Sequence, residues 1–173
     1  MKKIIAILLS LLLFGAVGCA SGGDPSGEEP SDKDTFPNAY AQQAYEQLSL
    51  MDTYFREDGG MLSENSASGG TATLWTYGAY FTAVAKYLKV CPENKSAAAL
   101  ADTALEELEW YKCEGKDAYA SDNGKERPVF FDDNAWLVYG LLEMYAARKD
   151  EALLDKAEQV QAFIYSGWQE DLG

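Results

Sequence analysis

Two acids stand side by side in Phe130-Phe131-Asp132-Asp133-Asn134-Ala135-Trp136, flanked by aromatics at the mouth of an apolar run. Paired carboxylates can act as acid and nucleophile when their surroundings drive their proton affinities apart. Sugar rings present apolar C–H faces that stack on Trp, Tyr or Phe, while carboxylates and amides hydrogen-bond their hydroxyls. The segment therefore suits glycoside chemistry, with Asp132 and Asp133 as the acids and Phe131 and Trp136 as stacking surfaces. Asn134 would reach a substrate hydroxyl or satisfy the exposed first-turn backbone. The ordinary role of such acids is different: aspartate is a good N-cap, and a helix dipole stabilises first-turn carboxylates. One cap needs only one aspartate, however, and a second beside it adds repulsion. Consecutive helical residues point about 100° apart, whereas a retaining glycosidase holds its carboxyls roughly 5–5.5 Å apart. A helix entrance, with one residue extended and the next helical, would let both converge.

The chain has no histidine. A Ser-His-Asp triad, a Cys-His pair and a histidine zinc site are thereby excluded. Asp117–Gly124 lacks the alternating acids and terminal Glu of an EF-hand and reads as a solvated turn, so no metal or other cofactor is expected. Removing residues 1–18 takes away Lys2 and Lys3 and no acid, leaving 12 basic against 28 acidic side chains, a formal charge of −16. That charge repels phosphate backbones, so nucleic acid is not an expected partner, and neutral sugars meet no such barrier.

The elements that must position the acids follow from the hydrophobic pattern. Residues 1–18 carry Lys2 and Lys3, an uncharged run from Ile4 to Phe14, and small residues before Cys19. This is the pattern of a signal peptide, too short for a stable span. Residues 19–35, rich in Gly, Pro, Ser and acid, form a flexible tether. The 47 % hydrophobic content suits one folded domain, placed at 36–173. There the period is helical throughout. A first helix carries Tyr40, Ala44, Leu48, Met51 and Phe55 on one stripe and ends at Gly59-Gly60. A second, Leu74–Leu88, is apolar all round and is expected to be buried. Trp75, Tyr77 and Tyr80 on it serve as core or, for Trp75 and Tyr77, as sugar platforms. A third, over residues 96–111, turns Ala97, Ala101, Ala104, Leu108 and Tyr111 inward and Asp102, Glu106, Glu107 and Glu109 outward. A fourth, Asp132–Arg148, is again expected to be buried. A fifth, Glu151–Ser166, has a stripe of Leu153, Ala157, Val160 and Ile164. Alternating surface and buried helices, with no convincing strand, point to an all-α toroid of nested hairpins rather than a plain bundle. Cys91 and Cys113 form either a disulfide or two separate thiols.

Two resemblances extend this. Ala16-Val17-Gly18-Cys19 resembles the lipobox of bacterial lipoproteins, which implies lipidation of Cys19 and anchorage to a membrane of the cell envelope; the alternative is an ordinary cleaved signal peptide. Asp132-Asp133-Asn134-Ala135-Trp136 before an apolar helix resembles the D-D-x-A-W signature of glycoside hydrolase family 76, the endo-α-1,6-mannanases. Asp52–Phe55 through Gly59–Leu62, Leu74–Ala79, Ala157-Glu158 and Gly167-Trp168 fall in the family's order, so the resemblance covers residues 38–173. It implies an (α/α)6 toroid and retaining cleavage of α-1,6-mannosidic bonds in a mannose polysaccharide, with Asp132 as nucleophile and Asp133 as acid/base. Leu137 stands where a second Trp is common. About five helices are visible against about twelve in the family's toroid, so a partial toroid of low activity is expected. A glycan-binding lipoprotein without catalysis, or another enzyme on the same toroid, are the competing readings.

Overall fold

The computed structural model describes residues 35–56, 60–67, 70–122 and 127–171. Residues 1–34, which hold the expected signal peptide, Cys19 and all but the last residue of the expected tether, lie outside the described residues. Five α-helices occupy the described part: α1 (Ala39–Phe55), α2 (Leu74–Val90), α3 (Lys95–Leu108), α4 (Phe131–Arg148) and α5 (Glu151–Ser166), with a single 3-10 turn at Glu109–Tyr111. Between them, the described residues hold isolated bridges, such as Arg56 with Leu62 and Lys112 with Tyr119, and no strand. No described helix is long and apolar enough to cross a membrane.

Short polar residues start most helices. Asn38 accepts the Ala41 N–H (3.0 Å), Asn94 the Ala97 N–H (2.8 Å) and Asp150 the Ala152 N–H (3.0 Å), each satisfying a donor that the helix itself cannot. At α2 the cap is doubled: Glu64 accepts the Thr73 N–H (2.7 Å) and the Thr76 hydroxyl (3.0 Å).

The two apolar helices, α2 and α4, pack directly on one another. Gly140 of α4 lies against Phe81 and Thr82 of α2; further along, Lys86 sits over the Tyr139 ring (5.0 Å) and Lys89 pairs with Glu143 (3.1 Å). Contacts that advance together along both chains mean that α2 and α4 run parallel, with their N-termini at the same end. Helices α1, α3 and α5 flank them. Tyr45 of α1 stacks on Tyr87 (5.9 Å), Tyr77 donates its hydroxyl to the Ala104 carbonyl of α3, and α5 packs along α4. An inner parallel pair with outer helices returning the chain is the layering of an (α/α)6 toroid.

Four expectations need correction. α2 and α4 are buried on one side only: Trp75, Val90, Trp136, Tyr139 and Leu142 are exposed along them. These large apolar residues form an open stripe with no helix against it among the described residues. The stripe of α1 holds at Ala44, Leu48 and Phe55, but Tyr40 and Met51 are exposed, and Ala41 and Tyr45 take inward places, Tyr45 lying against Phe36 and Tyr87. That helix also stops at Phe55, where Arg56 turns extended and ties back to Asp52 (2.8 Å) and the Gly60 carbonyl (2.8 Å). The same guanidinium pairs with Glu107, which is therefore buried rather than turned outward. On α3 the alanine stripe and, beyond it, Tyr111 face inward as the period predicts. Cys91 and Cys113 are separate thiols.

The close approach at Gly140 is testable. A Cβ there would lie 2.8 Å from both Phe81 and Thr82, whereas a Cβ at Gly78 meets nothing within 4 Å. Gly140→Ala should lower the unfolding free energy by about 1–2 kcal/mol, overpacking outweighing the helix gain, and Gly78→Ala should raise it by about 0.5–1 kcal/mol. Urea titrations followed by helical circular dichroism measure both.

Candidate active site

The acids sit in the first turn of α4, at the end where α2 also begins. The helix starts one residue before the sequence pattern suggests, at Phe131, and its N-cap is Phe130, which supplies no side-chain bond. Neither Asp132 nor Asp133 caps the helix. Both are helical, so they do not converge through an extended first residue; they leave the helix about 100° apart. Asp132 is exposed, and Asp133 is 8 % exposed.

That one-step difference separates the two groups chemically. Burial pushes the Asp133 carboxyl above its ordinary value; the neighbouring Asp132 charge adds to the rise, and a hydrogen bond from Ser121 works against it. A shielded carboxyl with a raised hold on its proton, next to an exposed acid, is the kind of unequal pair that acid and nucleophile roles call for.

Asn134 has no surface at all. Its Oδ1 accepts the Tyr119 N–H (2.9 Å), and its Nδ2 donates to the Tyr119 carbonyl (2.9 Å) and to the Phe130 carbonyl (2.8 Å). All its polar capacity but one lone pair is spent on backbone, so it is a clamp and not a sugar contact. Tyr77, the other polar residue expected at the substrate, is also fully buried, its hydroxyl on Ala104. Burial and the nearby Tyr80 and Tyr111 hold that phenol far above the usual tyrosine range, which makes it a neutral core donor. The other expected contacts are at the surface: Trp75 (63 % exposed), Trp136 (56 %) and Phe131 (45 %). Phe131 stacks on Phe163 (5.1 Å) and covers Gly167, which links the end of α5 to the start of α4.

The clamp reveals a segment that the sequence reading passed over. Within Asp117–Gly124, taken as a solvated turn, Ala118, Tyr119 and Ala120 are buried. Ala118 accepts from Cys113 (2.9 Å), Ala120 donates to Tyr111 (2.7 Å), and the Ser121 carbonyl accepts from Leu74 (2.7 Å). The loop is thereby laced to the end of α3 and to the start of both inner helices, and it brings Ser121 to Asp133. The apolar Ala-Tyr-Ala core was the available signal. Among the described residues no cluster of Cys, Asp or Glu could hold a metal ion.

Replacing Asn134 by Ala leaves the Tyr119 N–H and carbonyl without partners in a closed site. At roughly 1–3 kcal/mol for each orphaned group, Asn134→Ala should cost about 2–4 kcal/mol in urea unfolding. The raised Asp133 carboxyl gives a signed pH effect. The folded chain binds this proton more tightly than the unfolded chain, so the ionised group destabilises the fold. Wild type should lose stability relative to Asp133→Asn as pH climbs from the ordinary value of 3.8 through the raised one. Unfolding midpoints of the two proteins measured across that window should diverge upward in pH; parallel curves would remove the assignment.

The arrangement has relatives of known structure. The model of glycosyl hydrolase family 76 matches residues 38–173. A GH76 alpha-mannanase from Bacteroides thetaiotaomicron, solved as its selenomethionine derivative, superposes with a TM-score of 0.67 at 22 % identity, over 79 % of this chain and 39 % of that one. A family 76 glycoside hydrolase from a bovine Bacteroides thetaiotaomicron strain superposes with a TM-score of 0.64 at 19 % identity, over 77 % and 31 %. The chain thus spans less than two fifths of the length of either structure. No curated protein matches it.

Proposed function

The chain belongs to glycosyl hydrolase family 76, and from that premise we propose that it serves the hydrolysis of α-1,6-mannosidic bonds in a mannose polysaccharide by a retaining double displacement. The observation that carries this reading is the unequal environment of Asp132 and Asp133, one exposed and one shielded, at the shared end of the two inner helices. Asp132 would attack the anomeric carbon while Asp133 passes its proton to the departing glycosidic oxygen. The glycosyl–Asp132 ester would then be hydrolysed by a water that Asp133 deprotonates. Trp136 and Trp75, both exposed on the inner helices, are suited to stack on sugar rings. The pattern of residues 1–19 supports a lipid anchor at Cys19, which would hold this chemistry at the cell envelope.

With the open stripe on α2 and α4, turnover by the 173 residues alone should be low, so assays need long incubation with α-1,6-mannan and separation of the released sugars. Products should appear first as α-anomers. Asp132→Asn should abolish release, and Asp133→Asn should slow it by about 10²–10⁴-fold while sparing the first release of an aryl group that needs no protonation to leave, turnover then stalling at the glycosyl–Asp132 ester. Unchanged release by Asp132→Asn would refute the assignment. Mannan binding with no Asp132-dependent cleavage would favour the glycan-binding reading.

A further inference from the structure

Ser121 plays no part in the scheme above, yet its backbone is held on both sides in the loop beside Asp133. Its N–H donates to the Pro128 carbonyl (2.6 Å), and its own carbonyl accepts the N–H of Leu74, the first residue of α2 (2.7 Å). Two residues earlier, Tyr119 is held through both its N–H and its carbonyl by Asn134 (2.9 Å each), the residue after Asp133. Between them, Ala120 donates to the Tyr111 carbonyl (2.7 Å). The backbone that carries Ser121 is therefore fixed to the first turn of α4, to the start of α2 and to the end of α3. None of these bonds uses the serine hydroxyl, so the loop would keep its path with any small residue at this position.

We infer that Ser121 is a positioning residue for Asp133, its hydroxyl donating to the carboxyl and fixing the direction in which that group carries its proton. This rests on the reading of Asp133 as the acid/base. Without such a donor, a carboxyl next to Asp132 is free to swing away from its neighbour's charge. Donation from Ser121 favours the ionised form, against burial and Asp132, which both favour the protonated one. The balance suits a group that must give a proton in one step and take one in the next. Asp132 is the charged group acting on Asp133. The other carboxylates at this end include Glu64, bonded to Thr73 and Thr76, and Asp122, beside Ser121 in the loop.

The test is a substitution pair that differs in the hydroxyl. Ser121→Thr keeps a donor; Ser121→Val has nearly the same shape and none. Asp133 is followed in the whole chain by its ¹³C carboxyl titration, identified as the signal missing from Asp133→Asn. The expected result is an upward shift of the Asp133 midpoint in Ser121→Val, with Ser121→Thr close to wild type. Retained amide signals of Leu74 and Tyr119 show that the loop is intact. If either variant loses those signals, Ser121→Ala replaces it, and it should shift the midpoint in the same direction as Ser121→Val. A midpoint unmoved by removal of the hydroxyl would overturn the inference, whatever the hydrolysis assays give. An upward shift together with mannan release that does not depend on Asp133 would instead overturn the acid/base reading and leave the positioning contact standing.

Discussion

The buried amide of Asn134 is the contact on which the arrangement of the inner helices depends. It exchanges two hydrogen bonds with Tyr119, as paired strands do, and holds the Phe130 carbonyl with a third. Every helix leaves its first N–H groups without intrahelical partners. Here the same loop that Asn134 grips also accepts from Leu74, so one segment serves the starts of α2 and α4 together. Two parallel helices cannot be joined by a tight turn, since the chain must travel back along its whole length. α3 makes that journey, and the Asn134 clamp fixes where it ends. The acids are thus located by a residue that carries no charge and sees no solvent.

Beyond the first turn, the inner helices meet by close approach, with the Lys89–Glu143 pair (3.1 Å) and Lys86 over Tyr139 joining them at the exposed edge. Gly140 admits Phe81 and Thr82 against the α4 backbone, which sets the spacing of the pair. The opposite faces remain open. Trp75 on α2 and Trp136, Tyr139 and Leu142 on α4 are exposed, with Lys86 lying over Tyr139 and Lys89 paired to Glu143 among them.

What was legible in the sequence follows how far each contact reaches along the chain. The stripes of α3 and α5 depend on the period alone, and Ala97, Ala101, Ala104, Leu153, Ala157 and Val160 are buried as the pattern requires. On α1 the period holds at Ala44, Leu48 and Phe55, but the inward place of Tyr45 depends on Tyr87, more than forty positions away. Glu107 reads as one of several outward acids until Arg56 is brought against it. Asn134 and Tyr77 belong to residue types that serve ligand and core equally, and burial, which local pattern does not encode, decided for the core. The all-round apolar character of α2 and α4 was read correctly as composition. It did not distinguish a helix enclosed by protein from one that keeps half its apolar surface open.

The same limit applies to the acids and explains why their pairing is informative. In sequence, Asp132 and Asp133 are interchangeable, and either could cap a helix. In the fold neither does so, since Phe130 occupies the cap and Asn134 engages its carbonyl. With capping removed, one helical step becomes the only difference between the two residues. That step turns Asp132 to solvent and Asp133 toward Ser121, where burial and its neighbour's charge raise its hold on a proton. About 100° of rotation thereby sets the shielded carboxyl of Asp133 apart from the exposed one of Asp132. Stability would be better served by an apolar residue at position 133, because a shielded carboxyl beside a second charge costs free energy whenever it ionises. That cost falls on an acid that does not cap its helix, at the shared N-terminal end of α2 and α4.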